Sequence, residues 1–134
     1  MTKKDKLIEI VCKINGITFE DYNSGRQKRY MAWSRFILFH YFRQFNGKHN
    51  LKMFDLDEIG YMFGGKGGKG HSAVIYGSNQ ILSAYKYDDK LMTDLYDECK
   101  KQLDSFIPDK VTKEWFNQLH EFYIYSKYST QFYI

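Results

Sequence analysis

Apolar side chains recur along this chain at helical spacing, interrupted by short polar or glycine-rich breaks. Leu7, Ile10, Val11 and Ile14 stand at i, i+3, i+4 and i+7, which predicts a first helix from Lys4 to Ile14, stopped by Asn15-Gly16. Thr18-Phe19-Glu20-Asp21 places an acid three residues after a threonine, the pattern of a capped short helix. The polar basic stretch from Asn23 to Arg29 leads into a long aromatic helix from Lys28 to Phe45, with Tyr30, Trp33, Phe36, Phe39, Tyr41, Phe42 and Phe45. Its broad apolar band makes it the expected central helix, and periodic aromatics of this kind face a core. Asn46 to Asn50 reads as a loop. Leu56, Ile59 and Phe63 share one face of a short helix. A second helix opens at His71 and continues through Val74, Ser78 and Ile81. Leu91, Leu95, Cys99 and Leu103 form the row of a further helix from Asp88 to Leu103, which Pro108 ends. Val111, Trp115, Leu119 and Phe122 predict a last helix running into an aromatic tail, Tyr123 to Ile134.

Between the two helices in the middle of the chain lies Gly64-Gly65-Lys66-Gly67-Gly68-Lys69-Gly70, which no helix interior would tolerate. Gly60 to Lys66 satisfies GxxxxGK, but Gly67 occupies the position where Ser or Thr should meet magnesium, and a helix rather than a strand precedes it. A nucleotide-hydrolysing loop is therefore rejected. The alternative is the turn of a helix-turn-helix, where glycine amides, the following helix N-terminus and Lys66 and Lys69 would favour a DNA phosphate. The competing bland interpretation is a solvated loop that touches nothing. His71 and Ser72 open the second helix, where a recognition helix reaches base edges; the bland role for each is a helix cap. His71 has no metal-ligating or catalytic partners at usable spacing, so neither an enzyme nor a cofactor is expected.

Composition narrows the class. The 134 residues are 43% hydrophobic and 19% aromatic, enough for one packed domain, and a single Pro with ten Gly argues for helices over a many-turned β fold. The formal charge of +4 is uneven: residues 1–50 carry ten Lys/Arg against four Asp/Glu, whereas residues 83–134 carry seven against nine. Such polarity suits a molecule with one face toward a polyanion. Cys12 and Cys99 belong to no metal or disulfide pattern and read as buried thiols of a reducing compartment. The charged N-terminus matches neither a signal peptide nor a membrane span, so a cytoplasmic protein is expected.

These residues resemble a known family. Asp55-Leu56-Asp57-Glu58-Ile59-Gly60, then Phe63-Gly64-Gly65-Lys66, then His71-Ser72-Ala73-Val74 is similar to the C-terminal DNA-binding domain (domain IV) of the bacterial replication initiator DnaA. That domain carries Ser-Leu-Pro-Glu-Ile-Gly, Phe-Gly-Gly-Arg and Asp-His-Thr/Ser-Thr-Val. Ser34 to Phe45 resembles the family's long helix, and Arg26 and Arg29 its basic Arg-x-x-Arg. The resemblance spans residues 6–104 and implies an all-α domain, 1–104, with a central long helix and a helix-turn-helix for double-stranded DNA in replication control or transcription, followed by a C-terminal extension, 105–134. With no Walker motif, the expectation is a DNA reader without the ATPase module.

Position by position, the resemblance implies that His71 and Ser72 read bases, that Lys66 replaces a phosphate-contacting Arg, and that Arg35 lies at the DNA side of the long helix. The expected DNA-binding set is Arg26, Lys28, Arg29, Arg35, Asp57, Lys66, Lys69, His71, Ser72 and Ala73. The departures are Gly70 for the acidic reader before the histidine, Ala73 for a Thr, Asp57 for the Pro, Trp33 where some initiators carry a minor-groove Arg, and the three inserted residues Gly67-Gly68-Lys69. They imply a sequence preference different from, or weaker than, that of the initiator. The alternative is a protein-interaction module on the same fold, partnering itself or another protein through the aromatic C-terminal extension.

Overall fold

Side-chain caps decide where the first two helices begin. Thr2 Oγ accepts the Asp5 amide at 3.1 Å while the Asp5 carboxylate accepts the Thr2 amide, opening α1 (Lys3–Asn15). Thr18 and Asp21 repeat the same reciprocal pair and open α2 (Phe19–Asn23), as the Thr-x-x-Asp spacing predicts. Gly16 adopts a φ of 71° to end α1 in the left-handed conformation.

The computed structural model describes residues 2–24, 26, 28–47, 55–109 and 112–119. After α1 and α2 come α3 (Arg29–Gly47), α4 (Leu56–Phe63), α5 (His71–Lys86), α6 (Lys90–Phe106) and α7 (Lys113–Leu119). The chain is all-α, and the described residues contain no strand. The expected loop, Asn46 to Asn50, opens inside α3, which runs to Gly47, and its remainder lies outside the described residues together with Phe122 and the aromatic tail, Tyr123 to Ile134.

The long helix α3 is central, packing against α1, α2, α4, α5 and α6. Ile37, Leu38, Phe39, Tyr41 and Phe42 are buried along it, and Phe42 stacks on Phe63 of α4 with ring centroids 4.9 Å apart. Tyr30, assigned by periodicity to the same apolar band, is a correction: it is 39% exposed at the first turn, with the Arg29 guanidinium over its ring. On the opposite side α5 lies close to α3 because residue 77 is a glycine. A Cβ there would stand 2.5 Å from the Phe36 ring.

The row predicted for α6 holds at Cys99 and Leu103 and shifts by one position in the first half of the helix. Met92, Tyr96, Cys99 and Leu103 are buried, whereas Leu91 is 54% exposed and Leu95 only partly covered. Tyr96 explains the shift: its ring packs on His40 and its hydroxyl reaches Gln44, so the face that meets α3 is half tyrosine and methionine rather than leucine. The described part of the C-terminal extension joins the same core. Ile107 and Leu119 are buried, Trp115 packs against the core, and Lys3 Nζ donates to the Gln118 side-chain carbonyl at 2.7 Å, laying α7 on α1. Both cysteines are free and buried, and burial pushes each thiol up to about 12, so neither is a reactive thiolate.

Candidate nucleic-acid interface

The glycine run is a packed turn. Gly60, in the last turn but one of α4, presents a carbonyl that accepts two amides, from Gly64 and Lys69, both at 2.9 Å. The chain thus leaves α4, loops out and returns onto it five residues later. Gly65, Gly67 and Gly68 have φ of 87°, 81° and 71°, the left-handed conformations that make the loop. The turn is thus packed on the protein rather than hanging free of it, while Lys66, Gly67 and Lys69 stay exposed to solvent.

A second set of contacts ties this turn to α2. The Tyr22 hydroxyl, fully buried, donates to the Phe63 carbonyl at 2.6 Å, and the Lys66 amide donates to the Asn23 carbonyl at 2.9 Å. Arg35 completes the clamp, donating to the Tyr22 carbonyl at 3.0 Å and to the Arg26 carbonyl. The expectation that Arg35 lies at a DNA-facing surface is corrected here: it is 2% exposed, and burial lowers its pKa from the ordinary guanidinium value. Its five donors suit two convergent carbonyls better than any other side chain could. Arg35 holds the basic segment rather than belonging to it.

Arg35→Met should lower stability by about 2 kcal/mol. The buried Tyr22 carbonyl and the partly buried Arg26 carbonyl lose charge-assisted bonds, partly offset because no cation remains to be desolvated. Urea unfolding measures the loss, and an Arg35→Lys variant should recover less than half, since an ammonium cannot span both carbonyls. Stability equal to the parent in Arg35→Met would refute the clamp.

The remaining expected positions are distributed as follows. Arg26, Lys28 and Arg29 are exposed between α2 and α3, although Arg29 turns toward Asp89 at 3.8 Å, a surface pair of little energetic weight. Lys66 and Lys69 are exposed on the turn. His71 and Ser72 are exposed in the first turn of α5, and Ala73 is half-buried behind them. Gly70 is the N-cap residue, so neither His71 nor Ser72 is the cap. Asp57, from α4, takes over that function: its Oδ1 accepts the His71 amide at 2.8 Å and lies 3.2 Å from His71 Nδ1.

Beyond the expected set, α5 runs five residues further than Ile81 and presents Tyr76, Asn79 and Lys86 outward in line with Ser72. The three- and four-residue steps from Ser72 are the signal in the sequence that marks them. No Asp or Glu occurs in α5. The inner face is held by polar groups as well. His40 Nδ1 and Ser78 Oγ are 2.7 Å apart and both buried, with Gln44 bonding His40 Nε2 at 3.2 Å, while at the surface Arg43 reaches the outward-facing Asn79 at 3.5 Å. The chain matches no family model, no curated protein and no solved structure.

The surface carries a groove beside this face and another away from it. One of about 520 Å³ runs beside α5 between Arg29, Trp33, Phe36, Tyr76, Ser83 and Tyr87. The other, about 580 Å³, lies at the far end of α3 between Tyr41, Phe45, Lys100, Asp104 and Pro108. Among the described residues no cluster of three His, Cys, Asp or Glu is placed to hold a metal ion, and no helix is long and apolar enough to cross a membrane.

Proposed function

We propose that this protein binds double-stranded DNA, with α5 entering the major groove and the glycine turn resting on the backbone. The observation that carries this reading is the outward face of α5. It presents hydrogen-bonding and basic side chains without a single carboxylate of its own, and it is entered through a packed turn bearing two exposed lysines. A major groove admits a helix, and short polar side chains in its first turns are the ones that reach base edges. His71 and Ser72 are the base readers, Lys66 and Lys69 the phosphate contacts, and Arg26 and Lys28 a second backbone contact held beside the turn by Arg35. The ordered resemblance to domain IV of DnaA supports the same assignment. The biological role is then occupancy of DNA in replication control or transcription, in the cytoplasm and without catalysis.

Binding should therefore be dominated by charge. On mixed duplexes, log Kd should change linearly with log salt. Replacing Lys66 and Lys69 together by Ala should reduce that slope by about 0.9 for each phosphate that is no longer neutralised, on specific and random DNA alike. His71→Ala should leave the slope and flatten sequence preference. Absence of any mobility shift at low salt would abandon the reading.

A second reading, a protein-interaction module, has one observation in its favour. Leu82, Tyr85, Tyr87 and Leu91 are 41–73% exposed around the turn from α5 to α6. Such a cluster marks a protein contact more readily than a nucleic-acid one. Light scattering of the parent against Leu82→Lys plus Leu91→Lys distinguishes the two, because only a module that self-associates through this patch would drop in mass.

A further inference from the structure

We propose that Asp57 is the positioning residue that decides which bases His71 accepts, an inference that rests on the DNA-binding reading above. The two residues are fourteen apart in sequence and meet because the glycine turn brings the chain back onto α4. Asp57 Oδ1 sits 3.2 Å from His71 Nδ1 and 2.8 Å from the His71 amide, so one carboxylate oxygen fixes both the backbone and the ring. A carboxylate only accepts, and Nδ1 therefore carries the proton. In the neutral ring that leaves Nε2, on the side away from Asp57, as an acceptor. The side chains are each 62% exposed, so the pair stands at the surface, where a duplex can reach it.

An acceptor at the entrance of a major-groove helix selects for the exocyclic amino groups, adenine N6 or cytosine N4, and against the acceptor edges of guanine O6 and thymine O4. Asp57 therefore acts through His71 and touches no base. The same carboxylate occupies the first amide of α5. It thereby removes that amide from phosphate binding and leaves the backbone contact to Lys66 and Lys69, which stand on the turn rather than at the helix end.

The test uses the full chain, imidazole ¹⁵N spectroscopy without DNA at a pH where the ring is neutral, and selection from a random duplex pool. The parent should show a pyridine-type Nε2, and its pool should favour adenine or cytosine at one position by about tenfold, a preference that His71→Ala abolishes. Asp57→Ala should lose the Nδ1–H form and reduce the preference to less than about threefold. Asp57→Asn, whose amide oxygen still accepts, should keep both. A carboxylate acting only through its charge would make Ala and Asn equivalent, and that result overturns the proposal. A pyridine-type Nδ1 in the parent overturns it as well, as does a base preference that Asp57→Ala leaves intact. A parent pool with no enrichment at any position overturns the base choice, and only the absence of a mobility shift with the same pool at low salt fails the DNA reading itself.

Discussion

Gly60→Ala should unfold the region that presents α5. A Cβ at this position would stand 2.1 Å from the Lys69 carbonyl oxygen and 2.9 Å from its carbon, both backbone atoms that no rotamer change can move away. Relief requires the returning limb of the turn to shift by more than an ångström. That shift breaks the bond from the Lys69 amide to the Gly60 carbonyl and drags Gly70 and the first turn of α5 with it. Overpacking against backbone together with a broken buried hydrogen bond costs on the order of 3 kcal/mol or more. For a domain of this size that is a fall in Tm of about 10 °C. DNA binding should drop further than stability alone accounts for, because His71 and Asp57 lose their register.

Gly67→Ala is the matched control. Gly67 has a φ of 81°, but a Cβ added there would have nothing within 4 Å, so its substitution carries backbone strain alone, about 1 kcal/mol. Thermal unfolding of the two variants in parallel separates close packing from conformational strain. Equal losses would mean that the turn does not rest on α4.

The contrast between these two glycines shows where sequence reasoning stops. That the run from Gly64 to Gly70 is a turn between two helices is legible from composition, because no other element tolerates it. That Gly60, one turn earlier and inside a helix, is the position against which the run closes depends on where the chain returns, and spacing carries no trace of it. Arg35 is illegible for the same reason. An arginine interleaved with aromatics on a long helix reads as surface, and only the convergence of the Tyr22 and Arg26 carbonyls, from a segment folded back across α3, makes a buried guanidinium favourable. The buried row of α6 departs from the expected one only in its first half, because the pattern counts Leu91 and Leu95 as core, whereas Met92 and Tyr96 are buried and the Tyr96 hydroxyl is satisfied by Gln44. Helix starts are more legible. The Thr18 and Asp21 cap is a local interaction, complete within four residues, and it is found where the sequence places it. The pairing of Asp57 with His71 lies between these cases: each residue stands out in the pattern, and only the turn makes them neighbours.

Acid should weaken the fold through His40, and by more than any exposed ion pair contributes. The imidazole is 7% exposed between α3, α5 and α6, with Gln44 donating to Nε2, Nδ1–H donating to Ser78 Oγ, and the Tyr96 ring against it. Every contact is made by the neutral ring. Burial, reinforced by the positive charge of Arg43, lowers its pKa to about 4 from the ordinary 6.5. Between those values the unfolded chain takes up a proton and the folded chain does not. The contribution is therefore complete above pH 6.5 and is lost as pH falls toward 4, amounting to about 2.5 kcal/mol between pH 7.5 and 4.5. The carboxylates titrate in the same range, so the measurement is a difference. Urea unfolding of the parent and of His40→Gln at both pH values should show the variant less stable at pH 7.5, through poorer packing, yet missing this portion of the acid response. A parent and variant that lose equal stability on acidification would show that His40 is protonated in the folded state. The consequence reaches the candidate interface, because Ser78, the partner of His40, lies with Val74, Gly77 and Ile81 on the buried face of α5, the helix that carries His71.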